Sequence, residues 1–195
     1  LSSKQIMRLW ARRNVGRTTI AKKSKLIHTL RTSSSASVEV NNAPEGEFTL
    51  PNAICPHIFL GDINHASNPS ALKDLNITHV INCCEVEKHH LYKDEFKVKL
   101  LTMTDTGTSN EALAFVPKAV EFIDDCQNNG TNTLVHCFAG VNRSAALVVG
   151  YLIKRKGMRY NQAVEYVLER RSIDLHKNYV KQLLALDKMV HDGAR

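Results

Sequence analysis

From Asn52 onward the hydrophobic positions fall alternately into short apolar runs and longer stripes of helical period. Ile58 to Leu60, His79 to Cys83, Val98 to Met103 and Thr133 to His136 have the length and apolar density of strands. Stripes near Ser70 to Leu75, Glu111 to Gln127, Ser144 to Lys156, Tyr160 to Arg170 and Lys177 to Val190 read as helices, with Asn129-Gly130 and Gly157 closing two of them. This alternation predicts an α/β fold with a mostly parallel central sheet of four to five strands flanked by helices. Ligands of such sheets bind outside the carboxyl ends of the strands.

One such end is chemically loaded. After Thr133-Leu134-Val135 come His136-Cys137-Phe138-Ala139-Gly140-Val141-Asn142-Arg143-Ser144, then an apolar helix. A turn entering a helix presents backbone N–H groups without helical partners, and if it curls around one point they form a cradle for an anion. Gly140 permits the curl. Phosphate esters hydrolyse very slowly in water, so a catalyst needs a strong nucleophile and a means of holding charge on the equatorial oxygens. Cys137 and Arg143 are of the right types. An ordinary thiol, pKa ~8.5, is only slightly ionised near neutrality, and activating it takes on the order of 4 kcal/mol. A helix dipole supplies only ~0.3–2 kcal/mol. The sequence therefore predicts that converging amides and the Arg143 guanidinium provide the rest.

His136-Cys137, Gly140 and Arg143-Ser144 match the HCxxGxxRS signature and resemble the cysteine-based protein tyrosine phosphatase superfamily. Leu134-Val135 and Ala139-Gly140 resemble its dual specificity branch. The likeness runs from about Pro51 to Met189: Asn52 to Asp62 resemble the opening strand and LG turn, His79 to Asn82 the next strand, and Asn178 to Leu183 the last helix. It implies a protein tyrosine phosphatase-like fold, a phosphocysteine intermediate, and catalytic roles for Cys137, Arg143, Asp105 and Ser144. Substrate phosphate would lie against Phe138, Ala139, Gly140, Val141, Asn142 and Arg143. By itself Thr104-Asp105-Thr106-Gly107 reads as a turn; the resemblance makes Asp105 the general acid, with Ser144 supporting the departing thiolate. His136 reads as a strand-end histidine satisfied by backbone, or as a group that tunes the thiolate. Departures from the family pattern are Asn142 where serine is common, Asn110 where a second loop aspartate is common, and Ser172 where proline is usual.

Phe138, Ala139, Val141 and Asn142 add no lysine to the loop. Because family members that act on highly charged lipids often carry lysines there, the resemblance implies phosphotyrosine and phosphoserine or phosphothreonine in proteins as substrates, MAP kinases among the candidates, over a phosphoinositide or phosphoglucan. A catalytically weak phosphate-binding module is the rival from another class. No metal or organic cofactor is implied, and Cys83-Cys84 lack the spacing of a zinc site. A cysteine near Cys137 could instead capture it as a disulfide after oxidation.

Charge divides the chain. Residues 1–38 hold nine Lys or Arg and no acid, whereas residues 39–195 hold seventeen basic and nineteen acidic side chains. The formal +7 therefore belongs to the arm, and a uniformly basic nucleic-acid-binding domain is not expected. Ser, Asn, Pro and Gly between Thr32 and Glu47 read as a linker. The expected organisation is a basic arm and flexible linker over 1–48, a catalytic domain over 49–190 and a tail over 191–195. The arm suits calmodulin or kinase docking, or a mitochondrial transit peptide. No apolar run reaches the ~20 residues of a membrane span. Five cysteines in no disulfide pattern point to a reducing compartment, cytoplasmic or nuclear, with the mitochondrion as alternative.

Overall fold

Asn132–His136 form the central strand of the sheet. The computed structural model describes residues 49–84 and 95–193, and the arm and its proposed partners lie outside them. Five strands, β1 (Asn52–Cys55), β2 (Ile58–Gly61), β3 (Ile77–Asn82), β4 (Lys97–Leu100) and β5 (Asn132–His136), line up in the order β1-β2-β5-β3-β4. Parallel pairings join β2 to β5, β5 to β3 and β3 to β4, while β1 turns back antiparallel on β2. The expected sheet is present, with an antiparallel hairpin at one edge.

The helices among the described residues are α1 (Ile63–Ala66), α2 (Pro69–Asp74), α3 (Glu111–Asn128), α4 (Arg143–Lys156), α5 (Tyr160–Leu168) and α6 (Lys177–His191). Side chains alternate across a strand, and the row Phe59, Leu134, Val80 and Val98 packs with Ala66 of α1 and Leu72 of α2. Leu60, Val135 and Ile81 stand on the opposite face, toward the layer of α3 and α4. Ser144 to Ile153 are all buried, because α4 sits among β2, β5, α3, α5 and α6. A helix apolar all round is what such enclosure requires. No described helix is long and apolar enough to cross a membrane.

Two of the boundaries that differ from expectation bear on the site. The β4 strand stops at Leu100 rather than Met103 because its neighbour β3 has ended at Asn82. Hydrogen bonding continues nonetheless: Leu101 N–H donates to Asn82 C=O at 3.0 Å and Met103 N–H to Cys83 C=O at 3.2 Å. The loop of Asp105 thus leaves the sheet from an anchored segment. Helix α5 ends at Leu168 rather than Arg170, and the N–H groups of Arg170 and Arg171 both close onto Val167 C=O at 2.9 Å. That closing turn aims Arg171 at the loop after β5.

Candidate active site

Between β5 and α4 the backbone curls with its carbonyls facing outward. Phe138 C=O accepts from Ile63 N–H at 3.1 Å, and Val141 C=O from Asp174 N–H at 3.0 Å. Between them, the Arg171 guanidinium donates to Ala139 C=O at 3.1 Å and Gly140 C=O at 2.9 Å. In a trans peptide the N–H lies opposite the C=O, so the amides of Ala139, Gly140, Val141 and Asn142 turn inward. Gly140 bears this out, its N–H donating to Cys137 Sγ at 3.2 Å. Its φ of +70° is in the left-handed region, and a Cβ there would fall 2.4 Å from Gly61 O. Arg171 is braced in turn by Asn52 Oδ1 at 2.8 Å and Asp62 Oδ2 at 3.4 Å.

The sulfur lies at the floor of this curl. Ser144 Oγ donates to Cys137 Sγ at 3.2 Å from the first turn of α4. Burial pushes the Cys137 thiol pKa up, but hydrogen bonds from the Ser144 hydroxyl and from the Ser144 and Gly140 amides, with the Arg143 charge, bring it below the ordinary thiol value. Cys55 goes the opposite way: burial drives it up to about 12 despite Lys156 and Arg170. Sequence reasoning gave amides and guanidinium the larger share; among the lowering influences the Ser144 hydroxyl comes first. It is bonded directly to the sulfur, whereas Arg143 turns its Nε to within 3.1 Å of Asp105 Oδ1. That Nε makes no hydrogen bond, so its N–H misses the carboxylate and the contact is an ion pair by distance. His136 Nδ1 stands 3.4 Å from Cys137 C=O, and burial pushes its pKa down to about 4, which keeps the ring neutral at neutral pH.

Opposite the curl stands Thr104 to Gly107, whose four carbonyls each take a side-chain donor. Tyr179 Oη donates to Thr104 C=O, Asn142 Nδ2 to Asp105 C=O at 2.7 Å, Asn178 Nδ2 to Thr106 C=O at 2.8 Å and Gln182 Nε2 to Gly107 C=O at 2.7 Å. Glu111 Oε1 accepts from Thr104 N–H at 3.3 Å and Oγ1 at 2.8 Å. Gly107, at φ +60°, lies under the Tyr179 ring, where a Cβ would meet it at 2.8 Å. Although the Asp105 side chain is 74% exposed, its backbone is thus fixed.

A cavity of about 460 Å³ opens between the two loops. Cys137, Phe138, Ala139, Val141, Asn142 and Arg143 line it, together with Asp105, Thr106, Asp174 and His176. Two predicted residues lie off its wall: Gly140 and Ser144 act on the sulfur instead. Asn110 takes the left-handed N-cap position of α3 without a side-chain cap bond, and Ser172 is exposed in the turn after α5. All five cysteines are free thiols.

Sequence reasoning passed over Arg171, Asp174 and His176, and over the grip of α6 on the acid loop. Its available signals were weak: the second arginine of a pair at a helix end, and polar residues at the start of the last helix.

A family model described as the dual specificity phosphatase catalytic domain matches residues 58–189. Dual specificity protein phosphatase 1 of Arabidopsis thaliana is 33% identical over 140 residues, covering 71% of this chain and 70% of its own. From the same plant, dual specificity protein phosphatase 1B is 33% identical over 138 residues, covering 70% and 81%. The crystal structure of human tyrosine phosphatase-like serine/threonine/tyrosine-interacting protein superposes with a TM-score of 0.65 at 32% identity, covering 72% of this chain and 97% of that one. By this family match and these similarities in sequence and fold, the chain belongs to the dual specificity phosphatase family of protein phosphatases.

Proposed function

We propose that the chain hydrolyses phosphotyrosine and phosphoserine or phosphothreonine in proteins by two displacements at phosphorus. Cys137 thiolate attacks in line, forming the S–P bond as the ester P–O bond breaks, and Asp105 gives its proton to the departing oxygen. Water then attacks the phosphocysteine, Asp105 takes the proton back, and the Ser144 hydroxyl supports the leaving thiolate. Arg143 and the inward amides hold the equatorial oxygens throughout. One observation carries this reading: a sulfur hydrogen-bonded at 3.2 Å by both Gly140 N–H and Ser144 Oγ, on the floor of a loop whose carbonyls from Phe138 to Val141 face away.

Substrate choice follows from the rim. Among the described residues, the charged side chains lining the cavity are one guanidinium, Arg143, and two carboxylates, Asp105 and Asp174, beside His176. A single cation serves one phosphate, and the carboxylates disfavour a second. Phe138, 56% exposed at the mouth, offers an apolar surface to a peptide side chain. These features favour a singly phosphorylated protein segment over a phosphoinositide or phosphoglucan. A MAP kinase remains a candidate substrate whose second phosphate brings no gain. A reducing compartment, cytoplasmic or nuclear, suits the free thiols.

The test pairs wild type with Cys137→Ser on matched peptides bearing phosphotyrosine, phosphothreonine or two phosphates, and on a phosphoinositide. The expected result is turnover of singly phosphorylated peptides by wild type alone. Preference for the lipid would overturn the substrate assignment, and inactivity of both proteins would favour the phosphate-binding module.

A further inference from the structure

We propose that Asn142 is the positioning residue that sets the Asp105 carboxyl over the phosphate cradle, an inference that rests on Asp105 being the general acid. Asn142 immediately precedes α4, where an asparagine ordinarily turns its side-chain oxygen onto the first helical N–H groups. Here it makes no such cap bond. Its amide is committed elsewhere: Oδ1 accepts His176 N–H at 2.9 Å, while Nδ2 donates to Asp105 C=O at 2.7 Å and Asp105 Oδ1 at 3.3 Å. A donor on one side and acceptors on the other leave only one orientation of the amide.

One side chain therefore ties together the cradle, the acid loop and the segment leading into α6. The other loop carbonyls are held by Tyr179, Asn178 and Gln182, all on α6. Asn142 supplies the bond that comes from the cradle itself, and it grips the residue whose carboxyl matters. A serine, which the family pattern puts here, has one short hydroxyl with a single hydrogen and cannot donate twice to Asp105 while accepting from His176.

The carboxyl contact also selects an oxygen. Oδ1 faces Asn142 Nδ2 at 3.3 Å and Arg143 Nε at 3.1 Å. The amide hydrogen of Asn142 and the nearby positive charge of Arg143 disfavour a proton there, so the transferable proton resides on Oδ2. When a phosphoryl group draws the Arg143 guanidinium, Asn142 keeps Oδ1 engaged and Oδ2 free to serve the leaving oxygen.

The test uses two esters of the same phosphate: 4-nitrophenyl phosphate, whose leaving group needs little protonation, and phenyl phosphate, whose leaving group needs more. Asp105→Asn, Asn142→Ala and the double variant are compared with wild type, with Asn142→Ser standing in should the alanine protein melt early. The quantity compared throughout is kcat/KM, which reports the first displacement, and Asn142→Ala is expected to lose roughly tenfold more of it on phenyl than on 4-nitrophenyl phosphate. Adding it to Asp105→Asn should change the phenyl rate by less than about twofold, because the group it positions is gone. Equal losses on both esters, or full additivity in the double variant, would overturn the proposal while leaving a selective Asp105→Asn intact. If Asp105→Asn itself treats the esters alike, the acid assignment falls and takes this proposal with it.

Discussion

The phosphate cradle and the loop of Asp105 are both irregular backbone at strand ends, yet they are held by different means. In the cradle, outward carbonyls are taken by two main-chain N–H groups and by the half-buried, braced guanidinium of Arg171. In the acid loop, every carbonyl from Thr104 to Gly107 is taken by a side chain, three of them from α6. The cradle is thus a property of a short contiguous stretch plus one brace, and it points amides at a single centre. The acid loop is a property of a distant helix, and it holds one exposed carboxyl at a set place. Damage to the first should impair every substrate; damage to the second should impair those with poor leaving groups.

Gly140→Ala breaks the cradle most severely. Its Cβ would meet Gly61 O at 2.4 Å at a left-handed φ, so activity on both phenyl and 4-nitrophenyl phosphate should fall about a hundredfold or more, with a melting temperature below wild type. Arg171→Met comes next, because it strips the donors from Ala139 and Gly140 carbonyls and the counter-charge from Asp62. Chemical denaturation should register a loss of roughly 2–4 kcal/mol, and Arg171→Lys should recover only part, since an ammonium lacks the planar fork. By contrast, Gly107→Ala pushes on the Tyr179 ring at 2.8 Å and should cost roughly tenfold on phenyl phosphate alone. A uniform loss there would erase the distinction between the loops.

Smallest is Ser144→Ala, which acts on protonation. Because the Cys137 thiol lies below its ordinary pKa, the thiolate persists to lower pH than in a free cysteine, and removing the leading hydrogen bond raises that pKa. The pH profile of iodoacetamide alkylation should therefore move upward, with reactivity at neutral pH reduced severalfold. An unmoved profile would transfer the activation to the amides and Arg143.

The same contrast explains what the sequence could disclose. His136 to Ser144 lie together in the chain, so the strand, the glycine of the curl and the helix start could be read locally, as could the alternation that makes the sheet parallel. Arg171 and Tyr179 were not legible as site residues, because their contacts cross 31 and 75 positions of sequence and no local pattern marks a side chain for a carbonyl so far away. Asn142 could be seen only as a departure from serine; its meaning required Asp105 and His176 to be placed beside it. The end of β4 depended on where β3 stopped, which no property of Val98 to Met103 contains.

The phosphocysteine can be sought directly. With 4-nitrophenyl phosphate, Asp105→Asn still permits attack by Cys137 but removes the base for the second step, so the intermediate should accumulate. Rapid quenching followed by peptide mass spectrometry should find one phosphoryl group on the peptide carrying Cys137, absent in Cys137→Ser. Release of nitrophenolate at an undiminished rate by Cys137→Ser, or a phosphoryl group on any other residue, would contradict it.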